Sequence, residues 1–153
     1  MRQITRTIVV AFIFSLDKHI LMGRKDPSKG HVYPDCWHYP GGGIEEAETL
    51  EEAVIREVME EVGIDIRNQH IIPIQLKNSG SSEKTLANGE KVMCNMDFNY
   101  FEIRLDKNAG EVKTKLSDDL AEVKWFSEEE FPNVKQIPGG REFLQELGYI
   151  TKD

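Results

Sequence analysis

The feature that most constrains this chain is a glycine triplet that leads into an acidic, helix-forming run; residues 42–64 read GGIEEAETLEEAVIREVMEEVGI. Glu57, Glu60 and Glu61 lie at positions i, i+3 and i+4 of this run, so in a helix their carboxylates project from one narrow face. Like charges at that spacing repel unless a cation or bound protons neutralise them. Carboxylate oxygens favour Mg²⁺ or Mn²⁺, and these ions in turn favour phosphate oxygens. The pattern therefore predicts a divalent-metal site.

The acidic run carries the signals of a helix with one buried side. We expect this helix to cover residues 49–62, because four aliphatic residues recur at every fourth position and would form one apolar stripe. They are Leu50, Val54, Val58 and Val62. Gly63 follows directly, where a glycine ends a helix. A merely solvated acidic helix would need neither Gly63 nor Pro40 and the glycine triplet at fixed offsets. The glutamate face should therefore border the core.

Composition excludes several classes of function. With 153 residues the chain suits one domain with its own core, and we expect no second domain. A formal charge of −8 at pH 7 argues against binding to duplex nucleic acid, which requires a basic face. Cys36 and Cys94 show neither a CxxC spacing nor an accompanying histidine pattern, so zinc is not expected. An acidic protein that acts on polyphosphates must bring cations to them, which the glutamate cluster would do.

The amino terminus shows no membrane signal. Its apolar run, residues 8–14, is too short to span a bilayer and lacks a small-residue cleavage site. We read it as a strand and expect a cytoplasmic protein with no membrane partner.

The rest of the chain alternates predicted strands with short helices. Strands are expected at residues 8–14, 19–23, 37–39, 71–76, 92–104 and 121–126, with a hairpin turn at 15–18 and a loop at 25–35. Residues 77–91 are polar and read as a mobile insert with a turn at Asn88-Gly89. Ser127 and Glu130 form a capping-box pattern for a short helix, and a last helix is expected at 141–147. This alternation predicts an α/β protein with a mixed sheet.

Residues 42–64 also match the Nudix signature, G-x5-E-x7-R-E-U-x-E-E-x-G-U, where U is a bulky aliphatic residue. The matching residues are Gly42, Glu48, Arg56, Glu57, Val58, Glu60, Glu61, Gly63 and Ile64. This many fixed positions in one short stretch is far more specific than a lone glycine motif. The chain thus resembles the Nudix hydrolases from about residue 6 to residue 147, and the resemblance implies an α/β/α sandwich in which the signature forms a metal platform.

The resemblance also implies roles within the signature. The family's metal ligands match Gly42, through its backbone carbonyl, and Glu57, Glu60 and Glu61. Mg²⁺, or Mn²⁺ in its place, would screen the phosphates and lower the pKa of an attacking water. Arg56 stays protonated and can hold neighbouring carboxylates with its fork of donors. Glu48 would pair with Arg56 or hydrogen-bond the glycine loop.

The residue that deprotonates the water is open at this stage. Relatives often use a glutamate six residues before a tryptophan that Trp125 matches here, and this chain has Asp119 in that place. Because aspartate is one methylene shorter, Glu122, Glu60 and Glu61 remain alternatives.

Two residues outside the signature are candidates for substrate contacts. Arg24 matches an arginine that contacts phosphates in some relatives, although an exposed cation needs no such role. Tyr39, beside the glycines, could stack on a base or simply pack.

A weaker likeness indicates the substrate. Residues 6–9, 34–37, 41–43, 84–89 and 111–113 are similar to bacterial Nudix nucleoside triphosphatases that prefer pyrimidine deoxynucleotides. Tyr39-Pro40 before the glycines and Ala47, where glycine is common, depart from the usual pattern. We expect hydrolysis of a nucleoside triphosphate to monophosphate and pyrophosphate. The alternatives are an oxidised purine triphosphate, a nucleotide sugar or ADP-ribose as substrate, or a non-catalytic nucleotide-binding module. Relatives are frequently dimers, so the resemblance also allows a homodimer.

Overall fold

The structure is a computed structural model that describes residues 1–25, 36–117, 120–136 and 140–149. Its regular elements in these ranges are eight strands and two α-helices, joined by turns and short 3₁₀ helices. The strands are β1 (Arg2–Phe14), β2 (Ile20–Lys25), β3 (Trp37–His38), β4 (Gly41–Gly43), β5 (His70–Pro73), β6 (Asn78–Thr85), β7 (Lys91–Arg104) and β8 (Leu120–Phe126). The helices are α1 (Leu50–Val62) and α2 (Gly140–Glu146).

All eight strands join one mixed sheet, which confirms the α/β prediction. Its central order is β3-β2-β1-β7-β5, while β4 also pairs with β1, β6 with β7 and β8 with β2. β1 and β7 run parallel and stay in register from Arg2 opposite Val92 to Phe14 opposite Arg104. β2 returns antiparallel beside β1 through the expected hairpin turn. The short β4 pairs with the middle of β1 and so brings the glycine triplet into the sheet.

The two helices cover opposite faces of this sheet. Because side chains alternate along a strand, Val9, Ala11 and Ile13 of β1 point to one face and Phe12 and Phe14 to the other. The first three share a buried cluster with the aliphatic residues of α1, so we call that side the α1 face. Phe12 and Phe14 belong to a second cluster that contains residues of α2, so we call that side the α2 face. The layers are those of an α/β/α sandwich.

Helix α1 ends where the sequence predicts and begins at Leu50, one residue after its predicted start. Thr49 is its N-cap: its hydroxyl accepts from the Glu52 amide at 3.1 Å, and the Glu52 carboxylate accepts from the Thr49 amide. Gly63 ends the helix at φ 73°, a left-handed conformation that glycine adopts without strain. The predicted stripe is wrong at Leu50, which is 37% exposed; Ala53 is buried in its place. The first residue of the helix therefore lies at the edge of the core, and burial begins at Ala53.

The prediction of a mobile insert at residues 77–91 is wrong. Eight of these residues form β6, which pairs antiparallel with β7 from Asn78 opposite Phe98 to Thr85 opposite Lys91. The predicted turn at Asn88-Gly89 joins the two strands, with Gly89 at φ 85°. The sequence of β6 is polar and has no apolar alternation, so the pattern does not predict a strand. The strand forms because its backbone satisfies the donors and acceptors at the edge of β7.

Further differences concern the bounds of the elements. β1 begins at Arg2, well before its predicted start at residue 8. β5 stops at Pro73 rather than continuing to residue 76. The amide and hydroxyl of Ser127 both donate to Glu130, at 2.9 and 3.1 Å, but they stabilise a turn that leads into a 3₁₀ helix, Phe131–Asn133. The α2 helix starts one residue before its predicted position. The predicted loop at residues 25–35 lies outside the described residues except at its first residue, which ends β2.

Both cysteines are buried free thiols. In the ranges that the structure describes, no helix combines the length and the apolar character needed to cross a membrane.

Candidate active site

The glycine strand β4 lies directly against the glutamates of α1. Gly42 pairs with Val9, so its missing side chain would point to the α1 face. A Cβ at Gly42 would stand 2.6 Å from the carboxylate carbon and both oxygens of Glu57. Only glycine lets the Glu57 carboxylate approach the main chain this closely. The structure therefore places the Gly42 main chain and the Glu57 carboxylate against each other.

Arg56 binds the carboxylates around this unit. Its Nη1 donates to Glu57 at 2.9 Å and to Glu60 at 3.2 Å. Its Nε and Nη2 donate to the two carboxylate oxygens of Glu48 at 2.7 and 3.0 Å. Nη2 also donates to the carbonyl of Gly43 at 3.0 Å. One guanidinium thus fixes three glutamates and the glycine strand, as predicted for Arg56 and Glu48.

The ionisation of these groups follows from their surroundings. The hydrogen bonds from Arg56 hold the pKa of Glu48 at about 2, and the Glu48 partner in turn raises the pKa of Arg56. Burial raises the pKa of Glu57 above its usual range, although Arg56 opposes the shift. Three carboxylates face one guanidinium, so negative charge remains in excess, and part of it is poorly hydrated.

Glu61 binds to the glycine strand from the other side. Its Oε2 accepts from the backbone amide of Gly41 at 2.9 Å. The three glutamates at i, i+3 and i+4 therefore all contact protein donors: Arg56 for Glu57 and Glu60, and Gly41 for Glu61. Within the described ranges, no three His, Cys, Asp or Glu side chains stand close enough to hold a metal ion as arranged.

The residues nonetheless fit a hard divalent cation. Carboxylates and a backbone carbonyl are the oxygen donors that Mg²⁺ takes. Gly42 leaves room for its main chain and the Glu57 carboxylate to meet, and the excess negative charge around Arg56 would be neutralised by a cation. Glu60 is 58% exposed in its side chain and needs only to leave Arg56 to join them.

A cavity of about 360 Å³ opens beside the glycine strand on the α2 face, and we call it the glycine-edge cavity. Its floor is apolar, formed by Ile8 and Val10 of β1 and by Met96 and Phe98 of β7. Its polar rim includes Gly41, Gly42, Glu61, His38, Tyr39 and Lys25. An apolar floor with a few polar groups on one rim is typical of a ligand site, and this rim carries a predicted metal ligand.

The candidate substrate residues have partners within the protein. Arg24 donates to Glu122 through Nε at 2.8 Å and is paired with it through Nη2 at 2.7 Å. Tyr39 lines the glycine-edge cavity, packs edge-on against Phe12 with ring centroids 4.6 Å apart, and donates its hydroxyl to Gln136 at 3.0 Å. Burial raises the pKa of Tyr39. Asp119 lies outside the described residues.

The sequence did not indicate Met96 and Phe98, which form part of the cavity floor. They belong to a predicted strand, but only the parallel register of β7 with β1 places them beside Ile8 and the glycines. Their alternate positions along β7 predict that they share one face of the sheet, but this pattern does not identify the strand that lies beside them.

Comparisons with known proteins identify the family of this chain. The family described as NUDIX domain matches residues 4–147. The chain is 31% identical over 150 residues to the nucleoside triphosphatase NudI of Escherichia coli O139:H28 (strain E24377A / ETEC), with 98% of this chain and 100% of that protein covered. NudI of Klebsiella pneumoniae (strain 342) is 28% identical with the same coverage.

Solved structures share the fold. The E. coli dihydroneopterin triphosphate pyrophosphohydrolase superposes with a TM-score of 0.69 at 21% identity, covering 92% of each chain. The MutT protein from Methanosarcina mazei Go1 gives a TM-score of 0.64 at 23% identity, covering 97% of this chain and 96% of that one. Together with the family match over most of its length, these findings show that the chain belongs to the Nudix family and is a Nudix pyrophosphohydrolase.

Proposed function

We propose that this enzyme hydrolyses a nucleoside triphosphate, with a preference for pyrimidine deoxynucleotides, to the monophosphate and pyrophosphate. The observation that carries the proposal is the position of the glycine-edge cavity, which shares Gly42 and Glu61 with the glutamate cluster. A base held in the cavity would have its phosphates at the carboxylates. The NudI relatives, which are named nucleoside triphosphatases, support a triphosphate as substrate.

The glutamates would hold Mg²⁺, with Mn²⁺ as an alternative. We assign the metal contacts to the carbonyl of Gly42 and the carboxylates of Glu57, Glu60 and Glu61. The ion would screen the phosphate charge and lower the pKa of the attacking water. Arg56 orients Glu57 and Glu60 by the hydrogen bonds described above, and Glu48 fixes Arg56 in turn.

A carboxylate of the protein would then accept the proton of the attacking water. Water forms a bond to phosphorus while the bridging bond that releases pyrophosphate breaks, and the water's proton passes to a carboxylate. Glu61 is the candidate that lines the cavity. Glu122 is already paired with Arg24, which leaves it less available. Asp119 stays a prediction from the resemblance.

The test is a product assay on a substrate panel. Pyrophosphate and orthophosphate release would be measured with Mg²⁺ present and absent, using canonical and oxidised NTPs and dNTPs, ADP-ribose and nucleotide sugars. Pyrophosphate release, strongest with pyrimidine deoxynucleotides, is the expected result. Turnover confined to oxidised purine triphosphates or to diphosphate-linked compounds would overturn the substrate assignment. No turnover of any compound would favour the nucleotide-binding module.

A further inference from the structure

Arg6 occupies the space that a side chain at Gly43 would fill. A Cβ at Gly43 would collide with Nη2 of Arg6 and lie 3.2 Å from its Cζ. The guanidinium therefore rests against the last residue of the glycine strand, whose carbonyl accepts from Arg56. Two arginines thus lie against Gly43. Arg56 donates to its carbonyl, and the Arg6 guanidinium fills the space that a Cβ would occupy.

The sheet places Arg6 next to the glycine-edge cavity. Arg6, Ile8 and Val10 alternate along β1 on the α2 face, and the last two form part of the cavity floor. In the parallel register Arg6 stands opposite Met96, and Ile8 opposite Phe98, which complete that floor. Arg6 therefore lies next to the cavity floor, one same-face position before Ile8 on β1 and beside Met96 of β7. It also lines a separate cavity of about 360 Å³ beside residues 44–48.

Arg6 keeps its charge available for a ligand. Arg24 and Arg56, the other arginines near the cavity, form ion pairs with glutamates. Among the described residues, no carboxylate pairs with Arg6 and no hydrogen bond engages it. A half-buried guanidinium with free donors is suited to binding phosphate oxygens, two at a time. In a chain of net charge −8, a polyphosphate must rely on such local cations.

We propose that Arg6 forms an anion-binding site at the open end of the glycine-edge cavity and contacts the phosphates of the bound substrate. This inference rests on the proposed triphosphate substrate. Gly43 is part of the site, because only a residue without a side chain leaves room for the guanidinium beside the metal platform.

The test compares Arg6→Gln and Arg6→Lys with Arg2→Gln. Arg2 is the matched control, since it lies on the same strand and the same face but is exposed and paired with Glu90 at 2.9 Å, away from the cavity. Steady-state kinetics would use the best triphosphate from the substrate panel, with Mg-tripolyphosphate as a competitive inhibitor. Thermal unfolding of each variant would report on the fold.

We expect Arg6→Gln to raise KM and the inhibition constant of tripolyphosphate by about 10- to 100-fold, the range for a hydrogen bond to a charged group. The turnover number should change by no more than about threefold, because the contact is made in both ground and transition states. Arg6→Lys should recover part of the affinity, and Arg2→Gln should behave as the wild type. A purely structural arginine would lower the unfolding temperature without this split between KM and turnover.

The proposal is overturned if Arg6→Gln and Arg2→Gln show equal KM and equal inhibition by tripolyphosphate. It is also overturned if Arg6→Gln lowers only stability and turnover. If the wild type hydrolyses no triphosphate, calorimetric binding of Mg-tripolyphosphate decides the matter separately. Binding of tripolyphosphate that weakens at least tenfold in Arg6→Gln supports the anion site. The proposal is overturned if Arg6→Gln binds it as tightly as the wild type does, or if the wild type does not bind it.

Discussion

Replacing Gly42 with alanine tests the link between the glycine strand and the metal platform. The new Cβ would lie 2.6 Å from the Glu57 carboxylate, whereas ordinary contacts begin at 3.4 Å. The carboxylate must therefore retreat by about 0.8 Å or the strand must shift. Glu57 can move more cheaply than the strand, since its carboxylate ends a flexible side chain while β4 is paired with β1.

This displacement of the Glu57 carboxylate is large enough to disrupt metal binding but too small to unfold the protein. Metal–ligand distances tolerate about 0.2 Å, so a ligand moved by about 0.8 Å no longer binds well. A misplacement of about 1 Å can lower activity about 100-fold, which corresponds to about 2.7 kcal/mol of activation free energy. If the Arg56–Glu57 hydrogen bond is also lost, stability should fall by about 1 kcal/mol, or about 2–4 °C in unfolding temperature.

The assay combines turnover, Mn²⁺ affinity measured by electron paramagnetic resonance, and thermal unfolding. Gly110→Ala is the control, because nothing lies within 4 Å of the added Cβ there. We expect Gly42→Ala to lose activity and metal affinity while remaining folded, and Gly110→Ala to retain both. A Gly42→Ala enzyme with wild-type turnover and wild-type Mn²⁺ affinity would refute the reasoning, because Glu57 would then not bind metal from its observed position.

Three further substitutions address neighbouring features. Glu61→Gln should abolish metal-dependent turnover with the unfolding temperature nearly unchanged; residual activity after removal of contaminating phosphatase would remove its metal role. Glu48→Gln should destabilise the protein at pH 7, because the pKa of Glu48 is lowered from 4.5 to about 2 by Arg56. That stabilisation is present above about pH 4.5 and is lost towards pH 2, so urea unfolding of variant and wild type should converge there; a constant gap would contradict it. Ala47→Gly should raise stability by about 0.5–1 kcal/mol in the same assay, since Ala47 sits at a left-handed φ of 65°; a loss of stability would show that the alanine is not strained.

The sequence predicted well what depends on local chemistry. The bounds of α1 follow, to within one residue, from the four-residue spacing of its aliphatic residues and from Gly63, whose capping role needs only nearby backbone groups. The pairing of Arg56 with Glu48 was also predictable, because residues eight apart, one before the helix and one inside it, are held near each other by the helix start. Ala47 departs from the common glycine at a position where the backbone does adopt a left-handed conformation.

Features that depend on distant pairing were not predictable in the same way. β6 has too few apolar residues to show an alternation, and its existence depends on the edge of β7. The exposure of Leu50 depends on how far along α1 the buried core extends. The four-residue spacing predicts which side of the helix is buried but not where that burial begins. Met96 and Phe98 reach the glycine-edge cavity only because two strands about 90 residues apart in sequence run side by side in register.

The pairing of β1 with β7 also governs how the chain can assemble. β1 is synthesised well before its parallel partner, Lys91–Arg104, because paired residues of the two strands are about 90 residues apart in sequence. Until then the apolar centre of β1 can be covered by β2, by the short β4 and, on one face, by α1, which all precede β7 in the chain. Closing such a long loop is entropically costly, so pairing between strands this far apart in sequence slows folding. The apolar, aggregation-prone strand β1 therefore stays exposed for longer. During synthesis, β2, the glycine strand and α1 would therefore shield β1 until β7 emerges.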